Sequence, residues 1–414
     1  MASDNLAVTI LLSPFRSDFV TFSSATGGSG SSSIRASVSS TNRASVSSTI
    51  KASARARLRF SPSLTVFACV CLVLAAGNSA AAQSSRRWSI ERTYANSPAG
   101  DFIGGEDPIV RQAAIEALGK FNGSVVVADT SNGRLLTVVN QKLAFASGYM
   151  PCSTIKLVVG LAALNEGIVS PGKKVWFEGY WFMTMVEGLA ISNNVYFEHL
   201  GRELGFERFK RYANLFGFGE KAGWRIPGEQ LGKFPEEEHG GGIARMTTFG
   251  DGISVNPLQL AAFVSAVANG GTLHYLQAPA TPREAADLKA KERRRLPGGR
   301  WLPELRAGMT EAVKRGTGRK ARTVGRPILG KTGTCSQYHR PGRTQLGWFA
   351  SYNEGEGKRL AIVVLLRGGP MMFGPRAAEI AGNIYKTLSR QNYFSSDPAD
   401  RQVVSLGLEH CCPL

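Results

Sequence analysis

Charged residues and histidine are both scarce in this 414-residue chain. Only 19% of the residues are charged, and 49 basic against 31 acidic side chains leave a formal charge of +18. The five histidines, at positions 199, 239, 274, 339 and 410, lack the spacing of a metal site, so we expect no zinc and no other metal. The positive charge favours polyanionic surroundings such as nucleic acid, anionic lipid or acidic polymer.

Basic blocks with interleaved aromatic residues are also lacking. The run from Arg293 to Arg295 is short, which argues against a nucleic-acid partner. Hydrophobic residues make up 43% of the chain, and its length is enough for a large core. The composition therefore favours a globular domain that carries a positive surface.

No apolar run is clearly long enough for a membrane span. The apolar residues 64–77 follow basic residues within 55–59 and precede the small residues 80–82, an A-x-A cleavage pattern. We expect residues 60–82 to be a signal peptide or an uncleaved membrane anchor. Either outcome exports the protein to a periplasmic or other extracytoplasmic compartment, where cysteines can pair.

The residues before this signal do not look like a folded domain. Residues 1–59 contain 16 serines and two acids, and the sequence RASVSST occurs at both 35–41 and 43–49. Such a segment buries too little apolar surface to order itself, so we expect a disordered leader. Either translation starts downstream at a non-Met codon, or the leader is a Ser/Arg-rich organelle transit segment.

Two β-hairpins are predicted near opposite ends of the remaining chain. Residues 123–129 and 134–140 are β-rich runs around an Asn-Gly turn. Residues 346–352 and 360–366 form a second such pair, and residues 375–388 have the pattern of an amphipathic helix.

The segment between the hairpins, residues 152–270, is mostly helical in pattern. We therefore predict an α+β fold with an antiparallel sheet from both chain ends, flanked by helices, and a mostly helical lobe. We expect the chain after residue 82 to consist of a polar linker (83–104), one main domain that contains the elements above (105–392) and a C-terminal tail (393–414). Cys411 and Cys412 in the tail have no assigned role.

The stretch GRPILGKT, residues 325–332, matches the phosphate-binding pattern G-x-x-x-x-G-K-[ST]. A phosphate loop needs a helix that begins at its Lys-Thr pair, whereas glycines, a proline and no helical period follow Lys331. We interpret the match as accidental and expect no nucleotide and no cofactor. The alternative is a Lys-Thr-Gly strand beside a serine nucleophile.

A Ser-x-x-Lys motif, STIK, occurs at 48–51 in the leader and again at 153–156. The second copy leads into the apolar helix 157–164, where Lys156 stacks one turn from Ser153. Burial beside another cation favours neutral lysine, which can act as the base for a serine nucleophile. The alternative is a helix-capping serine with a lysine that reaches the surface.

A second hydroxyl is needed to carry the proton to a leaving group. Ser192-Asn193-Asn194 is an S-x-N motif between two helical segments. A second S-x-N begins at Ser254, but Asn256 and Pro257 have the pattern of a helix start, so Ser254 is interpreted as structural.

The three motifs together resemble the penicillin-binding proteins, the serine D,D-transpeptidases of the cell wall, and their β-lactamase relatives. They occur in the family order S-x-x-K, S-x-N, K-T-G, and the resemblance covers about residues 120–390. Further family-like segments are residues 190–223, 250–271 and 308–318.

The resemblance implies a role for each residue of the first two motifs. A D-Ala-D-Ala stem peptide of peptidoglycan, or a β-lactam, would acylate Ser153, and Lys156 would be its base. Ser192 and Asn194 would relay the proton and hold the substrate amide. Uptake of carbon dioxide by Lys156, giving a carbamate base, is an alternative that the sequence does not decide.

The third motif would form the substrate-binding strand. Lys331 would supply positive potential, and Thr332, Gly333 and Thr334 would bind the substrate, the two hydroxyls taking its carboxylate. The backbone N–H groups of Ser153 and Thr334 would form the oxyanion hole.

Cysteines flank two of the motifs. Cys152 precedes Ser153 and Cys335 follows Thr334, a placement similar to the active-site disulfide of class A carbapenemases. We therefore expect a Cys152–Cys335 bond; the alternative is two small buried thiols.

Three functions fit the resemblance. The leading one is a D,D-transpeptidase or carboxypeptidase. A serine β-lactamase is disfavoured, since we recognise no class A acidic loop and no Tyr-Gly-Asn motif. A non-enzymatic β-lactam sensor or inactive wall-binding module is the third. Ser153 and Ser192 are 39 positions apart, which is a short separation for a transpeptidase, and no pedestal or glycosyltransferase domain is recognised.

Overall fold

The computed structural model describes residues 91–395, except 180, 340 and 341, and three strands nearer the N-terminus. These strands pair antiparallel in the order β1-β2-β3. Their bounds are Ala7–Leu11 (β1), Phe19–Thr26 (β2) and Ser32–Ser39 (β3).

The small N-terminal sheet lies within the segment that composition predicts to be disordered. The pairing differs from that expectation, and the β-branched residues of these strands favour extended backbone. The rest of the leader, the predicted signal 60–82 and the tail beyond residue 395 lie outside the described residues, and the proposed divisions of the chain stay predictions. Among the described residues, no helix is long and apolar enough to cross a membrane.

The main sheet contains five antiparallel strands in the order β10-β11-β12-β4-β5. Its strands are Gly123–Asp129 (β4), Leu135–Val139 (β5), Ile328–His339 (β10), Gly342–Asn353 (β11) and Leu360–Gly368 (β12). Two short hairpins lie apart from it: Val175–Phe177 (β6) with Trp181–Met183 (β7), and Thr272–His274 (β8) with Glu292–Arg295 (β9). The strand that carries the K-T-G motif, β10, is therefore an edge strand.

Helices form about half of the chain between the two halves of the sheet. The α-helices are Pro108–Leu118 (α1), Gln141–Ala144 (α2), Lys156–Asn165 (α3), Met185–Ile191 (α4), Asn194–Leu204 (α5), Phe206–Leu215 (α6), Gly242–Phe249 (α7), Pro257–Ala268 (α8), Pro282–Ala286 (α9), Leu302–Lys314 (α10) and Gly374–Arg390 (α11). Short 3₁₀ helices span Cys152–Ile155, Gly299–Trp301 and Arg319–Ala321.

Both faces of the main sheet are buried, each in its own hydrophobic core. Alternate residues of β4 point to opposite faces, so that Val125 and Val127 pack with α1 and α11, while Val126 and Ala128 pack with α8 and the helical lobe. The sheet is thus a central layer between the terminal helices and the lobe. The predicted α+β architecture is confirmed.

The two predicted hairpins and the C-terminal helix are confirmed, with β11 and β12 longer than expected. The part of the predicted linker that is described, residues 91–104, packs on the domain. Glu91 pairs with Arg367, and the buried Ser97 hydroxyl donates to the carbonyl of Phe121 at 2.8 Å. At the other end, Tyr393 and Phe394 are buried against the terminal helices, although composition placed them in the tail.

Candidate active site

The segment that carries Ser153 turns sharply into a buried helix. Cys152 adopts a left-handed backbone conformation (φ 52°), and the Thr154 hydroxyl donates to the Pro151 carbonyl at 2.7 Å. The 3₁₀ helix Cys152–Ile155 then continues directly into α3. Ser153 is 9% exposed and so lies at the margin of the interior.

Lys156 is fully buried, and its amine contacts three neutral oxygen atoms. Its Nζ donates to the Ser192 carbonyl (2.8 Å), the Ser192 hydroxyl (3.3 Å) and Asn194 Oδ1 (2.6 Å). Burial without a carboxylate partner in this set disfavours the charged form and lowers the pKa of Lys156 to about 7. The alternative in which this lysine reaches the surface is therefore wrong.

The S-x-N motif forms a tight link between two helices. Ser192 ends α4 in a left-handed conformation (φ 57°), and its N–H donates to the carbonyls of Gly188 and Leu189. Asn193 then caps the N-terminus of α5, because its side chain accepts the N–H of Tyr196 at 2.8 Å. In this conformation, both the hydroxyl and the carbonyl of Ser192 lie within hydrogen-bonding distance of Lys156 Nζ.

Lys331 reaches the same hydroxyl from the sheet. Its Nζ donates to Ser192 Oγ at 2.7 Å and to the Thr332 carbonyl at 3.0 Å, and its side chain is fully buried. Burial, with a smaller contribution from the positive charge of Lys156, lowers the pKa of Lys331 well below its usual value. Because Lys331 and Thr332 lie within β10, no helix begins at this pair, as a phosphate loop would require.

Gly333 lets the edge strand β10 approach the nucleophile segment. A Cβ atom at this position would lie 3.0 Å from the Pro151 carbonyl oxygen and 3.2 Å from both Cys152 Cβ and Thr154 Cγ2. A methyl group here would be in tight contact with all three atoms, so that the strand or the segment would have to shift by a few tenths of an ångström. The motif therefore needs glycine for packing, beyond any contact with substrate.

Cys152 and Cys335 lie on either side of this contact. Their Cα atoms are 5.5 Å apart, within the range of a disulfide, and the two sulfur atoms are placed at bonding distance. On the neighbouring strand, Trp348 Nε1 donates to the Met150 carbonyl at 2.9 Å. Two contacts with the sheet thus position the backbone just before Ser153.

The two threonines of the K-T-G-T sequence have different surroundings. The Thr332 hydroxyl is buried and donates to Thr317 Oγ1 at 2.6 Å. Thr334 is exposed, and its Oγ1 accepts the N–H of Gly374, the first residue of α11, at 2.8 Å. This contact does not use the Thr334 hydroxyl proton, which is therefore available to a ligand.

Thr317 is a site residue that the motif reasoning missed. Besides its contact with Thr332, its backbone N–H donates to the carbonyl of Ala190 at 3.1 Å, two residues before Ser192. A Cβ atom on Gly316 would lie 2.0 Å from that same carbonyl oxygen, so the approach requires glycine. Thr317 lies within residues 308–318, one of the family-like segments of the sequence. That resemblance alone assigns no role to Thr317.

The predicted site residues therefore converge. Lys156, Ser192, Asn194 and Lys331 form one hydrogen-bonded cluster, Ser153 begins the turn before Lys156, and the Gly333 strand lies against that turn. Chemically, the cluster places an amine of lowered pKa and a shared hydroxyl one helical turn from a serine at the margin of the interior.

Comparison with known proteins agrees with this geometry. The family profile described as penicillin binding protein transpeptidase domain matches residues 123–386. Stage V sporulation protein D of Bacillus subtilis is 31% identical over 281 residues, which are 60% of this chain and 43% of that protein. Peptidoglycan D,D-transpeptidase MrdA of Acinetobacter baumannii is 27% identical over 285 residues, 57% of this chain and 42% of that protein. The chain spans less than half the length of these relatives.

Solved structures show the same fold. The transpeptidase domain of Burkholderia pseudomallei penicillin-binding protein 3 aligns with a TM-score of 0.59 at 20% identity, over 70% of this chain and 95% of that one. Pseudomonas aeruginosa PBP2, solved in complex with WCK 5153, aligns with a TM-score of 0.58 at 22% identity, over 70% of this chain and 78% of that one. The chain belongs to the family of proteins with a penicillin-binding protein transpeptidase domain.

Proposed function

We propose that this chain is an extracytoplasmic serine acyltransferase that acts on D-Ala-D-Ala ends of peptidoglycan stem peptides, as a D,D-transpeptidase or carboxypeptidase, and that β-lactams acylate the same serine. The observation that carries the proposal is the convergence of two fully buried lysines, Lys156 and Lys331, on the Ser192 hydroxyl. Two buried lysines whose hydrogen-bond partners include no carboxylate are unfavourable for stability when charged, which points to a role in proton transfer.

In the proposed acylation, neutral Lys156 takes the proton of Ser153 Oγ while that oxygen bonds to the scissile carbonyl carbon. The carbonyl electron pair moves to its oxygen, which accepts the backbone N–H groups of Ser153 and Thr334. When the C–N bond breaks, the leaving nitrogen takes the proton of Ser192 Oγ. The Lys156 ammonium then donates a proton to Ser192 Oγ and becomes neutral again.

The remaining contacts support binding of the substrate. Lys331 keeps Ser192 in place, and the Asn194 amide holds the substrate amide. Thr332, Gly333 and Thr334 present the strand edge, with the Thr334 hydroxyl free for the terminal carboxylate. The acyl-enzyme is released by the amine of a second stem peptide, which forms a cross-link, or by water, which forms a carboxylic acid.

We also assign a disulfide to Cys152 and Cys335 and the catalytic domain to residues 105–392. Residues 60–82 then export the chain or anchor it in a membrane. The disulfide and the proposed place of action are consistent with each other, since cysteines pair outside reducing compartments.

A β-lactamase would need a base that activates water for rapid deacylation. Glu166 follows α3 and is bonded to Arg208, Arg211 and Tyr212. It lies about 15 Å along the helix from Lys156, given a rise of about 1.5 Å per residue. The hydrogen-bond partners of Lys156 belong to Ser192 and Asn194 and include no carboxylate that could activate water, which favours a long-lived acyl-enzyme.

Two measurements test the proposal. The purified protein should release D-Ala from a peptide ending in D-Ala-D-Ala, and a fluorescent penicillin adduct should persist for hours. Loss of the adduct within seconds would indicate a β-lactamase, and a stable adduct without any peptide cleavage or amine transfer would indicate a sensor.

A further inference from the structure

A basic and aromatic surface forms where three segments of the chain lie side by side. The backbone N–H of Trp224 donates to the carbonyl of Leu276 at 2.7 Å, and that of Tyr275 donates to the carbonyl of Lys291 at 2.8 Å. The segments are far apart in sequence, so β9 gains its two aromatic neighbours only in the folded chain. We name this region the β9 surface; it consists of Trp224, Arg225, Tyr275, Lys291 and Arg293.

Each cation of the β9 surface lies over an aromatic ring. The charged groups of Arg225 and Lys291 are 5.4 and 4.7 Å from the ring centroid of Trp224, and Arg293 lies 5.3 Å from that of Tyr275. The two rings pack edge to face, with centroids 5.3 Å apart. Such contacts attract a cation to a ring and restrict its positions before any partner binds.

Carboxylates are scarce around these cations. Residues 220–225 and 289–295 contain seven basic and two acidic residues. Arg225 and Lys291 form no ion pair with any residue that the structure describes, and Glu220 is shared between two arginines of β9. The surface therefore carries positive charge that an anionic partner can neutralise.

The backbone at Arg225 has an unfavourable conformation. Its φ of 55° lies in the left-handed region, which glycine adopts freely and arginine does not. The buried carboxylate of Glu229 fixes this segment, because it accepts the N–H groups of Ala222 at 2.9 Å and Gly223 at 3.0 Å. Residues kept in such conformations by their surroundings are concentrated at functional sites. The conformation therefore indicates a role for the exposed side chain of Arg225.

The shape of the β9 surface restricts the kind of anion that it can bind. Trp224 is 41% exposed and the surface is open, so weak contacts spread along a polymer fit it better than one small ion. Arginine and lysine both bind phosphate, the first through paired N–H groups and the second as a point charge. Because cations already lie over both rings, the rings are less available for stacking on nucleic-acid bases or for insertion into a bilayer.

We propose that the β9 surface is a docking site for a linear phosphodiester polymer, and that it keeps the catalytic domain next to such a polymer in the cell envelope. Arg225, Lys291 and Arg293 bind the phosphate groups, and Trp224 and Tyr275 position these cations. The location in the envelope rests on the proposed function. The binding chemistry does not, because it uses no residue of the candidate active site.

Titration of the purified chain with fluorescent poly(glycerol phosphate) tests the site. We expect binding at low salt that weakens steeply as salt rises, because binding releases counterions from the polymer. The double variant Arg225→Gly, Lys291→Ala should bind roughly tenfold more weakly or worse, since each cation near an anionic surface contributes several-fold. Its melting temperature should not fall, because glycine fits the left-handed backbone at position 225.

A second double variant is the matched control for charge. Arg319→Ala, Arg390→Ala removes two exposed cations at or near α11, on the other side of the main sheet. The two double variants have the same net charge, so a polymer attracted only by net charge would bind them equally. We expect the control to bind poly(glycerol phosphate) almost as tightly as the unaltered protein does.

Trp224→Leu tests the rings separately from the charges. This variant keeps every cation but removes the ring that positions Arg225 and Lys291, so the affinity should fall several-fold. Single-stranded DNA and poly(glutamate) of equal charge, and vesicles of phosphatidylglycerol, should bind the unaltered protein no more tightly than poly(glycerol phosphate) does.

Absence of binding, equal affinities of the two double variants, or an unchanged affinity in Trp224→Leu would overturn the proposal. Tighter binding of DNA, poly(glutamate) or vesicles would assign a different partner and overturn it as well. Acylation by benzylpenicillin reports on the catalytic centre separately. A protein that binds the polymer but is not acylated would contradict the proposed function and leave the docking site in place.

Discussion

Lys156 and Lys331 hydrogen bond the same oxygen atom. Their Nζ atoms lie 3.3 and 2.7 Å from Ser192 Oγ, and neither side chain is exposed. Two ammonium groups at this separation repel each other, and burial adds to the free energy of the charged forms. The arrangement therefore favours a neutral amine next to Ser153, which is the state that the proposed acylation needs.

Acylation should depend on pH through Lys156. Burial lowers its pKa to about 7, and only the neutral amine, present above that pH, accepts the Ser153 proton. The acylation rate constant for a penicillin should therefore rise with pH on a one-proton curve with its midpoint near 7. Stopped-flow rates across the neutral range check this. A flat curve, or one that falls as pH rises, would contradict the assignment of Lys156 as the base.

Gly333→Ala should disturb the contact between β10 and the nucleophile segment. The added methyl group would lie 3.0 Å from the Pro151 carbonyl oxygen, and such overpacking is unfavourable by about 1–3 kcal/mol. We expect a lower melting temperature and a loss of penicillin acylation. Gly240→Ala is a matched control, because an added Cβ there meets nothing within 4 Å. Equal melting temperatures and acylation rates for the two variants would refute the packing role.

Thr317→Val should slow acylation without unfolding the protein. The Thr317 backbone N–H contact with Ala190 remains, but the Thr332 hydroxyl loses its acceptor and can rotate. Loss of one such hydrogen bond costs about 1 kcal/mol, which corresponds to a several-fold decrease in a rate constant. The second-order acylation rate should fall by that factor in Thr317→Val and recover in Thr317→Ser. If the valine variant acylates at the normal rate, Thr317 has only a backbone role.

The disulfide should contribute both stability and activity. It closes a loop across 183 positions, for which the chain-entropy model gives up to about 5 kcal/mol. Cys335→Ala should lower the melting temperature and the acylation rate, and a reductant should bring the unaltered protein to the same values. Insensitivity of the unaltered protein to reductant, together with free thiols in peptide mapping, would show that the bond does not form.

Motif order and hydrophobic pattern predict much of this molecule. The two hairpins follow from β-rich runs around turn residues, and the buried helix α3 follows from apolar residues 157–164. The sequence also indicates Lys156 as the base, because a lone lysine in such an apolar helix has no route to water. These features depend on neighbours in sequence, so sequence alone is sufficient for them.

Other parts of the site depend on contacts between distant segments. The hydrogen bond between Thr332 and Thr317 needs the packing of α10 against the sheet, and no local pattern encodes it. No local pattern encodes the cavity of about 190 Å³ beside Thr344 either, because it forms where the chain near Glu91 meets the sheet. The packing of residues 91–104 was missed because their polar composition is typical of a linker.

The central claim is that Ser153 is the residue that becomes acylated. Intact-mass measurement after incubation with benzylpenicillin, followed by peptide mapping, tests it most directly. We predict one adduct per chain, located on the peptide that contains Ser153, and no adduct in Ser153→Ala, with the variant's melting temperature close to that of the unaltered protein. An adduct on Ser48, in the other STIK sequence, or persistent labelling of Ser153→Ala would contradict the account.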